Sequence, residues 1–132
     1  MRNRSTAKKG DLVATRTFGP GPHRLLRNGR PVGACAIADN ARTRRKGLLG
    51  TDAVAGALWI TKCPSVHMVG MRYPIDVAVL DKEGTVLRVA TLRPWVGMTR
   101  PSPRAAATVE AAAGAFEAWG VGPGDRLSID PA

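Results

Sequence analysis

Residues 75–92 read Ile75-Asp-Val-Ala-Val-Leu-Asp-Lys-Glu-Gly-Thr-Val-Leu-Arg-Val-Ala-Thr-Leu92, and this stretch decides the fold. Successive side chains on a strand point to opposite faces. Ile75, Val77 and Val79 therefore share one face, and Asp76, Ala78 and Leu80 share the other. Asp81-Lys-Glu-Gly84 is a tight turn in which Gly84 can take positive φ. The chain then returns over Thr85 to Leu92, giving an antiparallel hairpin with Val77 and Val79 expected in the core.

Immediately before this hairpin lie the chain's scarce reactive groups. Residues 63–74 hold one of two cysteines, one of two histidines, two of four methionines and the only tyrosine. Ala57 to Ile60 reads as a short strand, broken at Cys63-Pro64. Val66 to Val69 is a further possible strand, and Gly70 to Pro74 is irregular.

Further upstream, Leu12 to Phe18 suits a short strand. Gly19-Pro-Gly-Pro22 is a turn or linker, since proline cannot donate to a ladder. Leu25-Leu26, Asn28-Gly29 and Val32 form a second hairpin signal. Its second arm, Val32 to Ala38, has small residues suited to close packing on both faces. Asp39 is a good N-cap for a helix over Asn40 to Leu49, ended by Gly50. On that helix Arg42, Arg45 and Lys46 share one face, while Ala41, Arg44 and Leu48 share another, which places Arg44 beside the buried side.

Downstream, Pro94 to Pro103 is a proline-rich loop carrying Trp95. Residues 105–112 read equally as helix, from their alanines, or as strand. Gly114 to Trp119 is a helical turn or two, and a glycine turn over 120–124 leads into a last strand, Asp125 to Ile129. These glycines resemble a phosphate loop only superficially, because no helix follows to supply an anion-binding end. The expected architecture is α+β, mainly β. It is a compact single domain of seven or eight short strands in a curled, barrel-like sheet with two short helices.

Length and composition agree with one domain. The 132 residues carry 44% hydrophobic side chains but only 5% aromatics, so the core must rest on aliphatic groups. The net charge of +10 is uneven: residues 1–30 hold eight Lys/Arg against one Asp. Residues 1–22 are expected to be a basic, partly disordered extension, and residues 23–132 the folded domain. No apolar run is long enough to span a membrane. The N-terminus has a signal peptide's charge but no apolar stretch behind it, so the chain is expected to be soluble and cytoplasmic, with Cys35 and Cys63 as thiols.

One ordered series of residues resembles a known family. Ala38-Asp39 with Arg44 and Gly47-Leu-Leu-Gly50 comes first. It is followed by Ser65-Val-His67, Gly70-Met-Arg72 and Pro74-Ile-Asp-Val77. Leu92-Arg-Pro-Trp95, Glu110 with Gly114, and Gly124-Asp125 complete it. The series resembles the bacterial and archaeal domain of unknown function 192, over about residues 30–130. The resemblance implies a compact β-rich domain and supplies no activity. Many members resemble secreted or lipid-anchored proteins, from which this chain departs.

Several chemistries could use these residues. Cys63, His67 and Asp76 are the types of a nucleophile, base and orienting carboxylate. Cys63 and His67, with Met68 and Met71, are soft or borderline metal ligands, but strand alternation points His67 and Met68 apart. The basic extension, with Arg42, Arg45 and Lys46, suits weak nucleic-acid contact, although the strands lack the aromatic faces of RNA-binding sheets. The favoured reading is a non-enzymatic module without cofactor or metal. It would bind a small molecule or an extended peptide at a shallow pocket formed by Arg44, His67, Met71, Arg72, Asp76 and Trp95. Arg44 and Asp76 are both charges at positions that ask for apolar groups. They are expected to form an ion pair clamping helix to sheet.

Overall fold

The computed structural model describes residues 15–131. In chain order the elements are β1 (Thr17–Phe18), β2 (His23–Arg27), β3 (Arg30–Ala38), α1 (Ala41–Lys46), β4 (Ala53–Val54), β5 (Ala57–Ile60), β6 (Ile75–Leu80), β7 (Val86–Leu92), β8 (Ala107–Ala112), α2 (Ala115–Trp119) and β9 (Leu127–Asp130). Seven strands form one sheet in the order β7-β6-β8-β5-β3-β2-β9, and β1 and β4 form a separate parallel pair. The expected mainly-β, curled sheet with two short helices is the observed fold.

The hairpin over residues 75–92 forms as read, with Val77 opposite Ala90 and Val79 opposite Arg88. All six residues of β6 are buried, because β8 pairs along its other edge and material covers both faces. Burying a Val, Leu or Ile side chain stabilises by about 1.5–3 kcal/mol, so β6 is the best-anchored strand of the domain. The second hairpin turns at Asn28 and Gly29, both at positive φ, as a two-residue turn between twisted strands requires.

The sheet curls until its two edges meet. Val86 N–H donates to Asp125 O at 2.8 Å, Leu127 N–H donates to Gly84 O at 2.9 Å, and Thr85 bridges Arg126. Gly84 lies at φ +88 here, and a Cβ on it would come within 2.4 Å of Leu127 O. The curl hides edge groups that an open sheet would expose. One hydrophobic cluster fills its inside, joining Leu25, Leu80, Val86, Val109 and Leu127 around Phe116 of α2.

The other face is covered by two crossovers. β3 and β5 are parallel neighbours, and β5 and β6 both run antiparallel to β8 between them. Parallel strands cannot be joined by a tight hairpin, so residues 39–56 and 61–74 must each pass over the sheet. Leu48 and Val54 from the first crossover pack with Met68 and Met71 from the second, over Leu58, Ile60, Ile75 and Val77.

Several local expectations are corrected. The helix N-cap is Asn40, not Asp39. Its side chain accepts from Thr43 N–H at 2.9 Å, and the helix stops at Gly47 rather than Gly50. Six residues suffice because the crossover needs only to turn back. Residues 107–112 are a strand: with four of six residues shared between β5 and β6, ladder pairing outweighs alanine's helix preference. Residues 66–69 make only one bridge, His67 to Met98. Residues 16–18, within the expected extension, contact the first crossover. Arg16 N–H donates to Asp52 Oδ2 at 3.0 Å, and Thr17–Phe18 pairs with Ala53–Val54. Of the expected extension, residues 1–14 lie outside the described residues.

Candidate cleft between the two crossovers

The two crossovers leave a cleft of about 240 Å³ between them. The end of α1 supplies Arg44, Arg45 and Lys46 on one side. The 63–71 segment supplies Cys63, Ser65, His67, Met68 and Met71 on the other, and Ile60, Ile75 and Glu110 come from the sheet below. The wall is mixed: aliphatic and thioether groups form its body, three cations stand on one side, and a single carboxyl lies among the apolar groups.

That carboxyl is the residue the pattern reading left out of the pocket. Glu110 sits in the middle of β8, opposite Leu58 on β5 and Val77 on β6, so it shares their face of the sheet. It is 6% exposed. Among the described residues it has no hydrogen-bond or ion-pair partner. Burial pushes its pKa up to about 7. A buried polar group without a partner is rare and costly, and calls for an explanation. The sequence signal was the lone acid in Ala107-Thr-Val-Glu-Ala-Ala112. It becomes readable only once this segment is known to be a central strand.

The 63–71 wall is held rigidly despite lacking regular structure. Cys63 N–H donates to Ala106 O at 3.0 Å, and Thr108 Oγ1 donates to Cys63 O at 2.9 Å. Val66 and buried Thr99 exchange bonds, Val66 N–H to Thr99 Oγ1 and Thr99 N–H to Val66 O, both at 2.9 Å. Met68 N–H reaches Gly97 O at 3.0 Å, and Trp95 N–H reaches Met68 O at 2.8 Å. His67 Nδ1 accepts from Val69 N–H at 3.3 Å, so a neutral ring carries its proton on Nε2.

The expected site residues divide. Arg44, His67, Met71 and Cys63 all line the cleft. Arg72 does not: it lies at the surface and pairs with Asp52 at 2.9 Å. Trp95 is exposed on the neighbouring loop. Asp76 faces the inside of the curled sheet, away from His67. It accepts from Thr91 Oγ1 at 2.6 Å, Gly114 N–H at 3.0 Å and Phe116 N–H at 3.1 Å. The Arg44–Asp76 ion pair is therefore absent among the described residues. The buried carboxylate does have donors, but they are the start of α2 and a cross-strand threonine. For the same reason Cys63, His67 and Asp76 do not assemble as a triad. Asp125, in the glycine turn, accepts from Arg27 Nε, Asn28 Nδ2 and Gly122 N–H, which fastens the turn to β2.

Cys35 and Cys63 are both free thiols. Burial pushes Cys35 up to about 11. Burial also raises Cys63, opposed by the Thr108 hydrogen bond and reinforced by Glu110. Thiolate is the reactive form. Alkylation of the native protein by iodoacetamide near neutral pH is thus expected to be slower at both sites than for a free cysteine, with Cys63 the first to react as pH rises. Mass spectrometry of the alkylated peptides reads this directly. Rapid labelling of Cys63 at neutral pH contradicts it.

The family model for DUF192, described as an uncharacterized ACR, matches residues 25–129, nearly the whole described chain. The chain belongs to the DUF192 family. Two solved structures share its fold. A protein of unknown function from Novosphingobium aromaticivorans is 17% identical with a TM-score of 0.69, over 93% of this chain and 99% of that one. A protein from Sinorhizobium meliloti, described as a candidate transcription regulator, is 22% identical with a TM-score of 0.65, over 81% and 92%. No curated protein matches. At these identities the likeness establishes the DUF192 fold alone. Among the described residues no helix is long and apolar enough to cross a membrane.

Proposed function

We propose that this DUF192 domain is a non-enzymatic binding module, and that the cleft between its crossovers takes a small amphipathic ligand. The observation that carries the reading is Glu110, a carboxyl buried at the sheet with no donor of its own. A ligand bringing a hydroxyl or amine into the cleft would supply that donor. An apolar body would lie against Ile60, Met68, Met71 and Ile75, and an anionic end would meet Arg44, Arg45 and Lys46. Ligand pockets commonly run from about 300 Å³ upward, so a cleft of this size favours a short molecule over an extended peptide. Binding is favoured over catalysis by the state of the nucleophile. Cys63 is held towards its protonated thiol, and among the described residues no carboxylate stands behind His67.

The test uses short carboxylates that differ at the far end. ω-Hydroxyhexanoate is expected to shift the amide resonances of residues 44–48, 63–71 and 110 in a nitrogen-15-labelled sample, and to bind more tightly than hexanoate. Replacing Glu110 with Leu is expected to abolish the preference while leaving hexanoate binding in place. If neither compound perturbs these amides, or if the preference survives Glu110→Leu, the reading fails.

A further inference from the structure

Every large hydrophobic side chain left exposed among the described residues lies at one end of the molecule. They are Leu49, Val69, Trp95, Val96 and Met98, the last three being 63%, 73% and 65% exposed. Scattered single apolar groups are ordinary on a surface, whereas a contiguous set marks an interaction site. This set is contiguous. The 95–98 loop is bonded to the 67–69 segment through Trp95 N–H to Met68 O, Met68 N–H to Gly97 O and the His67–Met98 bridge. Leu49 closes the set from the other crossover, lying 3.1 Å from where a Cβ on Gly70 would stand. Trp95 sits at φ 72, an unfavourable conformation for a bulky residue, fixed by its N–H bond to Met68 O. The side chain is exposed.

The charge around this tip is predominantly positive. The three segments that build it, residues 40–51, 61–75 and 92–104, carry four, two and three Lys/Arg and no Asp or Glu. Arg72 and Arg104 are paired with acids from elsewhere, at 2.9 Å to Asp52 and 3.7 Å to Asp81. Arg42, Arg45, Lys46, Arg93 and Arg100 are exposed and have no ion-pair partner among the described residues.

We propose that this tip docks the protein on the surface of an anionic lipid bilayer. A tryptophan suits the headgroup level, and valine, methionine and leucine gain by entering the acyl boundary. Unpaired Lys/Arg nearby are attracted by the anionic surface potential. A nucleic acid would engage the same cations and could stack on Trp95. It offers nothing to Leu49, Val69, Val96 and Met98, which is why the bilayer is the better fit.

Vesicle sedimentation of the full chain tests this, with phosphatidylcholine alone and phosphatidylcholine mixed with phosphatidylglycerol. Sedimentation is expected only with the mixed vesicles. It should come with a blue shift of the Trp95 emission, taken as the difference from Trp95→Phe. The double variant Trp95→Ser/Val96→Ser removes two exposed side chains, and is expected to lower vesicle binding by about tenfold or more. Its retention on duplex DNA should be unchanged. Arg93→Gln/Arg100→Gln should weaken both. No sedimentation with mixed vesicles overturns the proposal. So does full retention of the Trp95→Ser/Val96→Ser variant, which would leave a contact made by charge alone. An equal loss of DNA retention in that variant would assign the tip to nucleic acid instead. Because the substituted side chains are exposed, native circular dichroism is expected throughout.

Discussion

Replacing Asp76 with alanine is expected to remove about 3–5 kcal/mol of stability, a large fraction of what a domain this size possesses. The carboxylate is 3% exposed and accepts three hydrogen bonds. Two of its donors are backbone N–H groups at the start of α2, whose own N-cap is a glycine with no side chain to offer. Asp76 therefore caps α2 from a strand far away in sequence, and α2 brings Phe116 into the inside of the curled sheet. Without the carboxylate, the Phe116 N–H is left buried and unpaired, and the exposed residues Gly114 and Thr91 each lose a hydrogen bond to a charged acceptor. A buried unpaired donor costs about 1–3 kcal/mol, and a lost hydrogen bond to a charged group about 1.5–3 kcal/mol, less where water can replace it. The melting temperature is expected to fall by roughly 10–20 °C. Asp76→Asn keeps one carbonyl acceptor and should fall between the two. Urea unfolding of all three proteins measures the series. A loss below about 1 kcal/mol in Asp76→Ala would show that α2 is held by packing alone.

Replacing Glu110 with glutamine is expected to stabilise the protein, and to do so increasingly as pH rises. The folded-state pKa of about 7 lies above the ordinary 4.5 because burial disfavours the charged form. Below the ordinary value the carboxyl is protonated in both states and has no effect. Between the two values the unfolded chain releases the proton while the folded one holds it, so stability declines with pH. Above about pH 7 the loss levels off at about 3 kcal/mol, from roughly 1.4 kcal/mol per unit of displacement. Cys63 and Tyr73 both feel the Glu110 charge, which raises each of them, while Arg44 draws Cys63 the other way. Glutamine cannot ionise and escapes the penalty. The advantage of Glu110→Gln over the wild type is expected to grow by about 2–3 kcal/mol between about pH 5 and about pH 8. Unfolding at the two pH values reads this difference. Parallel behaviour of the two proteins would mean that Glu110 has water or another donor in the folded state.

The local parts of this molecule are legible in its sequence. Alternating Ile75 to Leu80, the Asp81–Gly84 turn and the return strand specify a hairpin from steric and solvation preferences acting over a few residues. Asn28-Gly29 specifies the second in the same way. The ordered motif series indicates the DUF192 family, and with it a compact β-rich domain. Arg44, Cys63, His67 and Met71 are identifiable as site candidates because scarce side-chain types gather beside a core strand. That burial of Asp76 demands a partner is also legible, since the cost of an unpaired charge does not depend on the fold.

Which partner Asp76 takes is decided only in three dimensions, where α2 arrives at the end of β6 with its unpaired N–H groups. The same holds for Arg72, drawn to Asp52 at the surface, and for Trp95, exposed on a loop whose backbone is bonded to Met68. Above all it holds for Glu110. Its segment reads equally as helix or strand from propensity, and insertion between β5 and β6 settles the choice through a ladder on each edge. That insertion also makes β5 and β6 parallel, which forces residues 61–74 over the sheet as a crossover. The cleft exists because two such crossovers cover one face and touch along only part of their length, a consequence of strand order that no local pattern encodes.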